Sequence, residues 1–177
     1  SMANGNYSPP VDHRARRQHC GGRSSLIVCA SLVENPMNLG ALCRTVEVFG
    51  LESLVLSRLA IAQTREFRKL AVSAHHWQPL AECPVAQLPE WITGWQQRGY
   101  APLALTAHPH ARAITHFQFP PKSLLVLGRE WTGIPSAIVE TCQAAIAIPQ
   151  FGQVDCLNVQ TAAAIAIYEY IRQHSGN

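Results

Sequence analysis

Between Leu26 and Pro149, short runs of continuously apolar residues alternate with longer stretches of helical periodicity, and this alternation limits the fold more than any other feature of the chain. The runs are LIVCASL from Leu26, SLVLS from Ser53, PLALT from Pro102, SLLVLG from Ser123 and AAIAIP from Ala144. Helical patterns fall at about Asn38 to Phe49, Thr64 to Ser73, Gln87 to Arg98, briefly after Pro135, and finally from about Leu157 to Gln173. Strands that are apolar on both faces cannot leave either face to water. The alternation therefore predicts an α/β fold with a parallel sheet and helices on both faces. A length of 177 residues with 47% apolar content suits one well-buried core rather than two.

Charge divides the chain unevenly. Arg14, Arg16, Arg17 and Arg23 against Asp12 place the whole net charge of +3 in the first 23 residues, leaving ten basic and ten acidic residues beyond them. The segment 1–23 is rich in Gly, Ser, Pro and Arg and has too little apolar surface to order itself, so it reads as a disordered basic tail ahead of a neutral domain at 24–177. Such an arm suits phosphate contact, with a solvated leader as the plain alternative. Only 14% of residues are charged, against about a quarter in soluble proteins generally, which predicts a covered surface and hence a homodimer.

Cys20, Cys29, Cys43, Cys83, Cys142 and Cys156 form no C-x-x-C pair, and the histidines show no ligand spacing, so no metal site is expected. No run of about eighteen apolar residues and no signal-peptide pattern occurs; free thiols in a cytoplasmic protein, away from any membrane, are the expectation. His75, His76, His108 and His110 read as structural or solvated, and Trp77, Trp91 and Trp95 as core aromatics on helix faces.

Three segments carry the chemistry. The first, Glu34 to Thr45, follows the first strand, where open α/β sheets place ligands. Asn38 suits a helix cap. Leu39, Leu42, Val46 and Phe49 share one stripe that should face the sheet, which turns Arg44 outward, as a phosphate-holding group or a plain surface arginine. The second segment, LGREWTGIP from Leu127, repeats a strand, glycine turn and helix start. Gly128 and Gly133 permit close backbone approach, and Glu130 either caps the turn's amides, the commoner fate, or meets a cation. In the third, IPQFGQVDCLNV from Ile148, Pro149 ends a strand, Gly152 permits a tight or positive-φ turn and Asn158 caps the last helix. By itself this segment reads more readily as an ordinary strand-to-helix connection than as a ligand loop. Neither G-x-G-x-x-G nor the P-loop pattern is present, which argues against a dinucleotide fold and a nucleoside triphosphatase.

Taken in order, NLGALCRT, LGREWTGIP and IPQFGQVDCLNV resemble the three motifs of the SpoU/TrmH RNA 2'-O-methyltransferases, and the resemblance covers residues 26 to 173. The run SAHHWQPL at 73–80 is most similar to the branch that modifies a guanosine in the D loop of tRNA. The resemblance implies a SPOUT-type fold with a deep C-terminal trefoil knot, which general topology rules would not suggest, and an obligate dimer. It implies S-adenosylmethionine as cofactor, held by Thr106, Ala107, Leu127, Gly128, Glu130, Ile148, Gln150, Leu157 and Asn158. It implies tRNA as partner, and attack of a ribose 2'-hydroxyl on the cofactor's methyl without a metal. Arg44 matches the family's catalytic residue, with Asn38 beside it, and RNA contact falls to Arg44, Cys156 and the tail arginines Arg14, Arg16 and Arg17. Because guanidinium groups stay protonated near neutral pH, two roles stand open for Arg44: proton acceptor in an unusual setting, or charged positioner of ribose and developing alkoxide.

Two departures stand out, since the family often has serine at the positions of Cys156 and Gln160. A thiol is a poorer hydrogen-bond partner than a hydroxyl, which implies weaker activity or differently held RNA. The same chemistry on a tRNA wobble nucleotide or on ribosomal RNA, and a catalytically inactive knotted RNA-binding dimer, are the alternatives.

Overall fold

The computed structural model describes residues 22–175, so Arg14, Arg16 and Arg17 lie outside the described residues. Seven strands, β1 (Ser24–Cys29), β2 (Leu51–Leu56), β3 (Leu80–Glu82), β4 (Ala101–Leu105), β5 (Arg112–Ala113), β6 (Ser123–Val126) and β7 (Ala144–Ala147), form one sheet. Its order is β3-β2-β1-β6-β4-β7-β5, and every pairing is parallel. The five runs read as strands are the five inner ones. The two edge strands, β3 and β5, have three and two residues, too few to show a period, and short edges also blunt unwanted pairing.

Five α-helices cover the sheet: α1 (Pro36–Val48), α2 (Arg65–Ala71), α3 (Leu88–Gln97), α4 (Ser136–Thr141) and α5 (Val159–His174). Because side chains alternate along a strand, each inner strand feeds two cores. Leu26 and Val28 of β1 join Leu39, Leu42 and Val46 of α1, Phe67 of α2, and Ala163, Ala166, Ile167 and Tyr170 of α5. Ile27 and Cys29 join Leu88 and Ile92 of α3 and Ile138 of α4 on the opposite face. The predicted stripe on α1 is buried as far as Val46, with Phe49 half-buried just past the helix end. Burial strongly disfavours thiolates here, pushing Cys43 and Cys142 up to about 12.

The helices on the first face pack backbone to backbone. A Cβ on Gly40 of α1 would sit 2.2 Å from the Phe67 carbonyl oxygen of α2, so only glycine allows this approach.

Arg23, counted by charge with the basic tail, is anchored instead. Its guanidinium pairs with Glu47 at 2.6 Å and donates to the Trp77 and Leu51 carbonyls at 3.0 and 3.1 Å and to Gln78 Oε1 at 3.1 Å. These bonds tie the start of β1 to α1 and to the segment before β3. The same segment corrects the aromatic reading: Trp91 and Trp95 pack against the α3 core, but Trp77 is 70% exposed.

Candidate active site

All four connections that bear on the site leave the carboxyl ends of neighbouring strands, which is where the sequence order of a parallel sheet opens a crevice. The connections after β4, β6 and β7 border a cleft of about 680 Å³. Thr106 and Ala107 come from the first, Leu127, Gly128 and Glu130 from the second, and Ile148, Gln150, Leu157 and Asn158 from the third. The fold thus gathers around one opening nine residues spread over more than fifty positions of sequence. Cys156 lies on the same wall and is exposed.

The loop after β6 is shaped by its glycines. Arg129 and Gly133 exchange two backbone hydrogen bonds, of 2.9 and 3.0 Å, and close a tight turn. Gly133 takes φ +69°, and a Cβ on Gly128 would come within 2.7 Å of the Gly133 carbonyl carbon. Trp131, at the tip, also has positive φ, which is uncommon for a bulky residue, and is 93% exposed. Gly152, expected to permit a tight or positive-φ turn, is not among the residues with positive φ.

Asn38 does not cap its helix. Asn35 does, accepting from the Met37 and Asn38 amides at 2.8 and 3.4 Å, and Pro36 then occupies the first helical position. That signal was present in the sequence, because proline at the first helical position places the cap on the residue before it. Freed from capping, Asn38 links the three segments. Its Nδ2 donates to Glu130 Oε1 at 2.6 Å, and its Oδ1 accepts from Asn158 Nδ2 at 3.2 Å. Among the described residues Glu130 neither caps the turn's amides nor pairs with a cationic side chain; its carboxylate accepts from the Asn38 amide of the first segment. Asn158 keeps its predicted role as well, its Oδ1 taking the Gln160 amide at 2.9 Å.

Arg44 is exposed, as its helical phase predicts, and makes no ion pair or side-chain hydrogen bond among the described residues. It does not line the cleft, so within one chain it stands apart from the residues gathered there. Beside it, Thr45 accepts from Gln160 Nε2 at 3.1 Å while donating to the Ala41 carbonyl at 3.2 Å. Gln160, one of the two departures, thus braces α5 against α1 next to Arg44. Nothing in its one-dimensional setting marked that pairing across 115 residues.

A SpoU rRNA Methylase family model matches residues 25–168. The chain belongs to the SpoU methylase family. Among curated SpoU relatives, mouse tRNA (guanosine(18)-2'-O)-methyltransferase TARBP1 is 41% identical over 85% of this chain and 10% of the mouse protein. The Saccharomyces cerevisiae tRNA (guanosine(18)-2'-O)-methyltransferase is 34% identical over 86% of this chain and 11% of the yeast protein. The chain thus spans about a tenth of the length of these two relatives. The A. aeolicus TrmH/SpoU tRNA modifying enzyme superposes with a TM-score of 0.77 at 25% identity, over 87% of this chain and 77% of that one. The parallel α/β sheet is accordingly the SpoU methylase architecture.

Proposed function

We propose that this SpoU methylase is an S-adenosylmethionine-dependent ribose 2'-O-methyltransferase that acts on a guanosine in the D loop of tRNA. One observation carries the reading: Asn38, Glu130 and Asn158, one from each motif segment, meet by hydrogen bonds of 2.6 and 3.2 Å at the edge of the cleft. The mouse and yeast relatives, both tRNA (guanosine(18)-2'-O)-methyltransferases, support the substrate.

The cleft's make-up suits the cofactor. Its volume falls within the range of about 300 to 1,000 Å³ usual for small-molecule sites. Leu105, Leu127, Ile148 and Leu157 offer apolar contact for a flat base, and loop backbone at 106–107 and 148–150 offers polar contact. S-adenosylmethionine, when bound, supplies an electrophilic methyl group on a cationic sulfur. Asn38 and Asn158 hold Glu130 and the third loop in register, and the Glu130 carboxylate favours positive charge near it. Arg44 acts as the catalytic residue by engaging the RNA phosphate and orienting the ribose, so that its charge stabilises the 2'-oxygen as the proton leaves. Cys156, exposed on the third segment, contacts the RNA, and Arg14, Arg16 and Arg17 add phosphate contacts.

Two further parts belong to this reading. The exposed apolar side chains Val48 of α1 and Ile165 and Tyr168 of α5 lie on packed helices, with the Tyr168 ring 6.2 Å from that of Phe49, and they form the face of a homodimer. The C-terminal segment is threaded as a trefoil knot, a reading supported by the side-by-side loops at 127–133 and 148–158. Pulled by its ends in an optical trap, a knotted chain stops short of its full contour length; extension to full length removes the knot.

Incubation with tRNA and methyl-labelled cofactor, followed by nucleoside analysis, should yield 2'-O-methylguanosine that maps to the D loop. Label in another nucleotide, or none with cofactor bound, sinks the assignment.

A further inference from the structure

A second groove, of about 580 Å³, adjoins the cofactor cleft and shares Arg129, Glu130 and Trp131 with it. Its other wall is built from the connection after β1 and the start of α1, including Glu34, Asn35 and Met37, with Glu66 of α2 facing in. We propose that this groove receives the base of the target nucleotide and that Glu34 and Arg129 select guanine; the proposal rests on the methyltransferase reading above.

Four observations point this way. First, the groove meets the cleft along the Glu130 and Trp131 loop, so a base seated in one leaves its ribose at the border of the other. Second, the groove is unsuited to phosphate. Glu34 and Glu66 oppose an anion, and the side chain of Asn35 already takes the Met37 and Asn38 amides that a helix end would offer one. Third, Trp131 holds its indole 93% exposed at the rim, on a turn closed by two backbone bonds, and a bare aromatic face on a braced turn is a stacking platform for an extruded base.

The fourth observation decides which base. Arg129 Nε stands 3.6 Å from Glu34 Oε1, a loose pair that leaves the carboxylate, 83% exposed, free to accept further bonds. Side by side they present a donor followed by two acceptors. The Watson–Crick edge of guanine presents the complement, the O6 acceptor followed by the N1 and N2 donors. Adenine, cytosine and uracil each lack the two adjacent donors, so one carboxylate oxygen would face an acceptor or nothing. A site built around such a bond rejects an analogue that lacks it, because a polar group that the seated base covers from water is left unpaired.

The test compares tRNA transcripts carrying guanosine or inosine at the methylated position, since inosine lacks only the 2-amino group. The wild-type protein should prefer guanosine in kcat/KM by roughly tenfold or more, the loss expected for one charge-assisted hydrogen bond. Glu34→Ala should bring that ratio near one while leaving S-adenosylmethionine affinity in calorimetry unchanged. An unchanged ratio in Glu34→Ala overturns the proposal. Quenching of Trp131 fluorescence by free guanosine, in the presence of S-adenosylhomocysteine, reads the groove without turnover. It should vanish in Trp131→Phe, weaken in Glu34→Ala and require a higher concentration of adenosine than of guanosine. Quenching without methyl transfer removes the methyltransferase reading and keeps the groove; no difference between guanosine and adenosine removes the groove.

Discussion

Arg44 leans from an exposed turn of α1 with no ionic partner among the described residues, so its guanidinium stands in water, available to an incoming anion. Replacing it with alanine removes a positioning charge but no packing. Methyl transfer should therefore fall by roughly a hundred- to a thousand-fold, the usual loss when one preorganised charge contact is deleted. Calorimetric affinity for S-adenosylmethionine should be unchanged; retained turnover removes the assigned role. The outward direction of Arg44 was legible in its helical phase, and so were the nine cleft residues once their motifs were recognised. Asn38 was misread as a cap because sequence shows which residues are able to cap, whereas Asn35 won the place through Pro36. The bond from Asn38 to Glu130 was not legible because the two lie 92 residues apart.

Helices α1 and α2 meet at Gly40, where any added side-chain atom strikes the Phe67 carbonyl. Gly40→Ala should destabilise the protein by about 1 to 3 kcal/mol in urea unfolding, because overpacking outweighs alanine's better helix propensity. A more stable variant would contradict this packing. Helix α5 is fixed at its far end by Gln173, which donates to the Phe117 carbonyl at 2.8 Å and accepts from the Phe119 amide at 2.8 Å. Nearby, hydrogen bonds from Arg172 and then Gln173 hold the Glu169 carboxyl down to about 2 from its usual 4.5. A depressed folded value means the stabilisation is complete above about 4.5 and is lost as pH falls towards 2. The melting temperature of Glu169→Gln should lie slightly below wild type at neutral pH, a small gap because Arg172 is largely in solvent, and the gap should close between pH 4.5 and 2. A gap that widens on acidification would contradict the assignment. Elements of this length announce themselves by period, which is why all five helices and the inner strands were anticipated while β3 and β5 were not.

At the scale of the whole molecule, the shortage of charge and the apolar side chains on α1 and α5 point to a second copy. Light scattering at micromolar concentration should give twice the chain mass, and Val48→Asp with Tyr168→Glu should give a monomer that still melts cooperatively; a wild-type monomer would end the dimer reading. Alternation of apolar runs and helical patterns was enough to determine a parallel α/β sheet with both faces covered, since a backbone flanked by apolar residues on both sides must be buried on both sides. Resemblance to the family, carried by three short segments, further marked the residues of the cleft, Thr106 and Ala107 outside those segments included. Tertiary structure alone decided the strand order, the anchoring of Arg23, the bond from Gln160 to Thr45 and the meeting of Asn38, Glu130 and Asn158. The physical reason is that periodicity reports what a residue avoids, namely water, over a few neighbouring positions. A hydrogen bond reports what it meets, and that partner is fixed only when the sheet has set which loops lie side by side.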